Sequence, residues 1–487
     1  VLRRDTHRQP GLPTVGGVPA AEQEGQAVTA PTETPRARGR WITQWDPEDA
    51  DFWERTGRRT ANRNLWASIL AEHLGFSVWT IWSVLTLFMT PETGFDYTAA
   101  QKFLLVSVVT LVGAVLRVPY TLAVPRFGGR NWTLVSVAAL LVPTVLAILL
   151  IQRPETPFAV FVLLAATAGL GGGNFSSSMS NINAFFPERS KGWALGLNAG
   201  GGNIGVPVVQ VLGLGVIAVL GVHHGWVLAA LYIPLLALAC RVSWRRMDNL
   251  AGAVADIGAQ AAAVRDRHFW IMSFLYIGTF GSFIGYGFAF GLLLQNEFGR
   301  TPLEAAAVTF IGPLLGSLIR PVGGHLADRF GGARVTLAVF AAMTAGTAAI
   351  VLASTQGSLA LFTTGFIALF LLTGVGNGST YKMIPAIYAA RAADLADAGM
   401  SRAAATAHAK RVAGAVLGLV GAVGALGGVA INLVFRQSFA TFGGATPAYV
   451  AFLAFYLVCI AVTYLVYLRR PAPAAGAAPA DTAAARP

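Results

Sequence analysis

The chain has 487 residues, of which 55% are hydrophobic and 12% charged, and its 35 Lys and Arg against 23 Asp and Glu give a formal net charge of +12. That charged fraction, against a usual ~25%, excludes an ordinary soluble domain. Two cysteines, Cys240 and Cys459, exclude a disulfide framework and a cysteine metal site.

Residues 1–40 are rich in Pro, Gly, Thr, Arg and Ala without the apolar core of a signal peptide, and read as a disordered tail. Residues 41–64 alternate aromatic and charged side chains, as suits a segment lying on a membrane surface. Apolar runs long enough to cross a bilayer as helices then follow, placed at 65–90, 101–125, 132–151, 158–183, 190–219 and 226–242, and again at 268–296, 303–327, 335–353, 358–388, 412–435 and 447–468. A polar linker, 243–267, divides 65–242 from 268–468, and 469–487 is a low-complexity tail expected to be disordered. The expected class is an all-α polytopic membrane protein of twelve transmembrane helices in two six-helix bundles.

With these spans, 29 of the 35 lysines and arginines fall in the termini and the loops on their side. The other side holds Lys102, Arg153, Arg300 and Arg436. By the positive-inside rule both termini and the linker are cytoplasmic in a cell membrane. The basic excess is thus a topology signal and implies no nucleic-acid partner. No metal cluster and no nucleophile–base constellation recurs, and His223-His224 falls in an outer loop, so neither a cofactor nor an enzyme is expected.

Arg117 and Arg320 lie within spans, 203 positions apart, and each is followed nine residues later by Arg-Phe-Gly-Gly. GNFSS at 173–177 and GNGST at 376–380 repeat at the same offset, so the halves are parallel repeats about an axis along the membrane normal. Each arginine is too deep to reach the surface, and Glu72 is the one acid well inside a predicted span. Intramembrane charge of this kind marks a substrate path. Two facing guanidinium forks match a small planar oxyanion.

Glycines recur at 192, 196, 200 and 205 and at 414, 418 and 421. Small residues at this spacing permit close helix approach, and their symmetrical placement predicts surfaces on which the halves rock. Asn198 and Asn203 interrupt the first ladder, and Asn203 is placed to donate to an anion. Tyr276 and Phe280, four residues apart among glycines, supply a hydroxyl and a ring to close a cavity against water.

RVPY (117–120), FGGRNWT (127–133), GGNFSSSMSNINAFFP (172–187), ALGLNAGGGN (194–203), GTFGSFIG (278–285), GGHLADRFGG (323–332) and GNGSTYKMIP (376–385) together resemble the nitrate/nitrite porter family of the major facilitator superfamily. The resemblance runs from about residue 45 to 468. It implies the major facilitator fold, nitrate/nitrite antiport by alternating access, and nitrate and nitrite clasped by Arg117 and Arg320, with Asn203, Tyr276, Phe280 and Phe175 beside them. The nitrate-signature stretches of the family resemble 194–205 and 414–428. A monomer in the lipid bilayer is the state expected of the fold.

Glu72-His73 departs from what the family need contain and leaves a second reading open, in which Glu72 carries a coupling proton with His73 as helper. A phosphate or organophosphate antiporter would call for further basic groups, which the spans lack. A passive anion channel or a substrate-sensing receptor fits the twofold repeat and the glycine ladders less well.

Overall fold

The computed structural model describes residues 38–252 and 257–469. Apart from 38–40 and 469, the tails expected at the two ends lie outside the described residues. Eleven described helices are long and apolar enough to cross a membrane. In the first half these are α2 (Ala99–Phe127), α3 (Gly129–Leu150), α4 (Phe158–Phe185), α5 (Glu188–Leu220) and α6 (Gly225–Arg246). In the second half they are α7 (Arg267–Phe298), α8 (Pro302–Phe330), α9 (Gly332–Gln356), α10 (Leu359–Asp397), α11 (Arg402–Phe442) and α12 (Thr446–Leu468). The twelfth, α1, runs Arg58–Thr80 and, after a turn at Ile81, Trp82–Phe88.

α1 is too polar to register as a membrane span because its polar side chains face protein. Asn64, Ser68, Glu72, Ser77 and Thr80 are all buried. Its counterpart α7 is also an interior helix, with 94% of its most apolar stretch buried. Helix α1 begins at Arg58, inside the stretch expected to lie on the surface. Helices α10 and α11 run on past the predicted spans 358–388 and 412–435, which leaves only 398–401 between them. Part of the linker is helical too, at Ile257–Arg265.

Glycine contacts set each arginine-bearing helix against its neighbour. A Cβ on Gly172 of α4 would stand 2.6 Å from Gly113 Cα of α2, and one on Gly374 of α10 would stand 2.2 Å from Gly316 O of α8. Arg117 and Arg320 follow Gly113 and Gly316 by four residues, one turn along the same helix face. The sequence repeat is therefore a repeat of helix crossings, and each crossing aims an arginine.

The bundles meet on the face away from the described ends of the chain. There Gln295 Nε2 of α7 donates to Leu87 O of α1 at 3.2 Å, Gln210 Nε2 of α5 donates to Gly287 O at 3.0 Å, and Phe103 of α2 stacks on Phe435 and Phe439 of α11. Toward the opposite face, Gly192, Gly196 and Gly200 of α5 and Gly414 and Gly418 of α11 have nothing within 4 Å of where a Cβ would stand. The interbundle cleft is thus sealed on one face and open on the face that carries the chain ends and the linker.

A strap braces the first bundle on that open face. β1 (Trp41–Ile42) pairs in parallel with β2 (Asn249–Leu250) of the linker. Asp248, fully buried, accepts from Arg40 Nε at 3.0 Å, Arg63 Nη2 at 2.5 Å and Asn64 Nδ2 at 3.3 Å. Ile42, Trp53, Leu65, Phe185, Phe186 and Leu250 form a separate apolar cluster beneath it.

Candidate functional site

Arg117 is wholly buried, with its guanidinium carbon 4.8 Å from the ring centre of Phe175, 5.2 Å from Phe280 and 5.6 Å from Trp79. These rings come from α4, α7 and α1, so faces from both bundles surround one cation; ring quadrupoles favour such a charge. Trp79 is fixed by its Nε1 donating to Val109 O at 3.0 Å. Arg117 Nη1 crosses to the second bundle and donates to Gly421 O of α11 at 2.8 Å.

Arg320, partly buried, donates from Nη2 to Tyr276 Oη at 3.1 Å and lies 5.9 Å from the ring centre of Tyr381. Tyr276 stacks on Phe280 at 5.2 Å with an interplanar angle of 13°. The stacked pair therefore stands between the two arginines, with Phe280 against Arg117 and Tyr276 against Arg320. A π-helical turn, Ile277–Gly281, follows Tyr276 and contains Phe280. Such turns add a residue to the helix and re-aim side chains, often at functional sites.

The donors left over define what the site accepts. Arg117 Nε and Nη2 and Arg320 Nη1 are buried without a hydrogen-bond partner among the described residues. No carboxylate of the described residues lies within 4.0 Å of either guanidinium. Forked N–H groups held dry and unpaired are costly, and an oxyanion with several acceptor lone pairs satisfies them.

The sequence placed Phe175, Tyr276, Phe280 and both arginines here, and the structure brings them together. Asn203 is buried with its Oδ1 unpaired, but no hydrogen bond ties it to either arginine. Gly421 lines the site through its carbonyl. Gly205 packs against α1, where an added Cβ would come within 2.3 Å of His73 O. Gly196, Gly200, Gly414 and Gly418, read as contact surfaces, border open space in this conformation.

Glu72 and His73 tie α1 to α5. Asn198 Nδ2 donates to Glu72 Oε2 at 2.6 Å, Ser178 Oγ donates to Asn198 Oδ1 at 3.1 Å, and His73 Nδ1 stands 3.2 Å from Gly201 O. A Cβ at position 202 would fall 2.3 Å from Glu72 Oε1, so glycine there makes room for the carboxylate. Glu72 is the buried acid of the described spans, and Glu297, partly buried at the end of α7, accepts from Tyr449 Oη at 2.7 Å and from Ser354 Oγ.

Sequence reasoning missed Trp79 and Tyr381. Tyr381 Oη donates to Leu417 O of α11 at 3.2 Å and its ring centre lies 5.6 Å from that of Tyr276. Its signal was its place next to the repeated GNGST. Asn174 and Asn377, equivalent by that repeat, each keep a buried Oδ1 without a partner.

The family model described as Major Facilitator Superfamily matches residues 73–429. Nitrate/nitrite transporter NarU of Escherichia coli strain K12 is 39% identical over 453 residues, covering 88% of this chain and 96% of NarU. The chain belongs to the nitrate/nitrite porter family of the Major Facilitator Superfamily. Another of these porters, the probable nitrate/nitrite antiporter NarK2 of Thermus thermophilus, is 32% identical, with 90% of this chain and 98% of that protein covered. Among solved structures, a D-xylose–proton symporter shares the porter's fold with a TM-score of 0.59 at 14% identity, covering 83% of this chain and 96% of the symporter.

Proposed function

We propose that this porter exchanges nitrate for nitrite across a cell membrane, holding the anion between Arg117 and Arg320 with the Phe175, Phe280 and Tyr276 rings around it. The observation that carries this reading is the set of buried, unpaired guanidinium N–H groups in an aromatic slot. Nitrate and nitrite are planar, carry one negative charge and offer only acceptors, which matches those groups. The names of NarU and NarK2 support the same substrates.

The bodies that move are 65–242 and 268–468, and the open face, with both termini, is the cytoplasmic one. The charge count supports that orientation. The transporter works as a monomer, without a cofactor. Asn203 reaches the anion only when the bundles shift, and Glu72 has a structural role, as its ties to Asn198 and Ser178 favour.

Thermal unfolding of the detergent-purified protein tests the substrate assignment. Nitrate or nitrite at about a hundred times its Kd raises stability by about 2.7 kcal/mol. Phosphate at the same concentration leaves the unfolding temperature unchanged. A shift by phosphate and none by nitrate would contradict the assignment.

A further inference from the structure

One stripe of α11 supports groups from three other helices at the site. Leu417, Gly421 and Gly424 fall at i, i+4 and i+7 and so lie along one face of that helix. Leu417 O accepts from Tyr381 Oη of α10 at 3.2 Å, and Gly421 O accepts from Arg117 Nη1 of α2 at 2.8 Å. Gly424 makes room for the Tyr276 ring of α7, since a Cβ there would stand 2.5 Å from Tyr276 Cδ1. Within the helix, the Leu417 carbonyl is also the acceptor for the Gly421 N–H. A string of hydrogen bonds therefore runs from the Tyr381 hydroxyl through one turn of α11 to the Arg117 guanidinium, and bonds in series polarise one another.

The two arginines depend on this stripe unequally. Arg117 is enclosed by the Phe175, Phe280 and Trp79 rings and is tied to α11 directly. Arg320 is only partly buried, and it is oriented by the bond from its Nη2 to Tyr276 Oη and by the Tyr381 ring, 5.9 Å from its guanidinium carbon. The Tyr276 and Tyr381 ring centres are 5.6 Å apart, so Tyr381 stands beside both members of the Arg320–Tyr276 pair. The sequence repeat sharpens the point. Tyr381 lies 203 positions after Ser178, whose hydroxyl ties α4 to α5 through Asn198 Oδ1 at 3.1 Å. Both halves tie the same pair of helices, and in the second half the residue that makes the tie also carries a ring that reaches the site.

We propose that Tyr381 is a positioning residue for anion binding: its hydroxyl, pinned to α11, sets its ring against Arg320 and Tyr276 and so holds Arg320 in register with Arg117. Tyr381 acts through Arg320 and touches no anion itself. The proposal rests on the reading of the two arginines as an anion site. With phenylalanine at this position the ring stays but its anchor on α11 is lost, Arg320 is freer to turn away from Arg117, and the anion has to order it again on binding.

The test is Tyr381→Phe, read by calorimetric titration of the detergent-purified protein with nitrate and by exchange of labelled nitrate into proteoliposomes preloaded with nitrite. The Kd and the KM for nitrate rise at least fivefold, the scale of one hydrogen bond, while kcat stays within twofold and the unfolding temperature of the anion-free protein is unchanged. Tyr381→Leu, which removes the ring as well, raises both constants further. A nitrate Kd within twofold of the unaltered protein in both variants overturns the proposal. So does a fall in kcat with KM unchanged, or a weaker Kd accompanied by a lower unfolding temperature without anion, since either marks a packing role; all three leave the anion site intact. Absence of nitrate binding by the unaltered protein overturns the site and the proposal together.

Discussion

At the scale of single residues, guanidinium shape matters as well as charge. Arg117 presents edge donors while its face is covered by Phe175, Phe280 and Trp79. A lysine keeps the charge but loses the planar fork and the stacking. Arg117→Lys and Arg320→Lys should each lower nitrate exchange at least tenfold, since a hydrogen bond to a charged group contributes about 1.5–3 kcal/mol, with the protein still monodisperse on gel filtration. Glu72→Gln should behave differently. An amide retains an acceptor for Asn198 Nδ2, so exchange measured between pH 6 and 8 should stay within about twofold of the unaltered protein; uptake driven by a pH gradient in the unaltered protein and abolished in Glu72→Gln would instead make Glu72 the proton carrier. The arginines were legible because permanent charge in an apolar run has few explanations. Trp79 was not, because one more aromatic residue in a membrane helix carries no signal until the backbone aims it. Gly421 was legible as a small residue, but its carbonyl, which accepts from Arg117, was not.

At the scale of helices, glycines divide into two groups by what surrounds them. A Cβ on Gly427 of α11 would stand 2.8 Å from Gly281 Cα and 2.9 Å from Ile277 O, directly at the π-helical turn of α7. Gly427→Ala should therefore lower the unfolding temperature and expression. Gly418 meets nothing within 4 Å, so Gly418→Leu should fold normally yet slow exchange severalfold, because a rocking motion that closes this face brings α5 and α11 together. Normal exchange by Gly418→Leu, measured in vesicles, would contradict that closure. The strap gives a third test. Asp248→Ala leaves Arg40 and Arg63 without their shared carboxylate, and breaking a buried pair costs about 3–5 kcal/mol, which a thermal melt in detergent reads directly. Helix order and the twofold repeat were legible from apolar runs and from two motifs at one offset. Helix ends were not, since α10 and α11 lengthen through alanine-rich, basic sequence that a hydropathy pattern assigns to a loop. Nor was the strap, whose contacts join positions some two hundred residues apart.

At the scale of the whole molecule, the two bundles form a cleft with one face sealed and the proposed anion site at the seam. Arg117 already touches the second bundle through Gly421, and the Tyr276–Phe280 pair stands between the two cations. To pass through a closed state with the site empty, the protein would have to bury two like charges together in a low-dielectric interior, where repulsion and lost hydration add. A bound anion removes most of that barrier, so the return stroke requires a substrate as much as the forward one does. The most direct measurement is uptake of labelled nitrate into proteoliposomes preloaded with nitrite, with chloride or with buffer alone, each at several imposed pH gradients. Obligatory exchange predicts uptake only with internal nitrite or nitrate, and at a rate indifferent to the gradient. Rapid accumulation by vesicles holding buffer alone, driven by an acidic exterior, would contradict it.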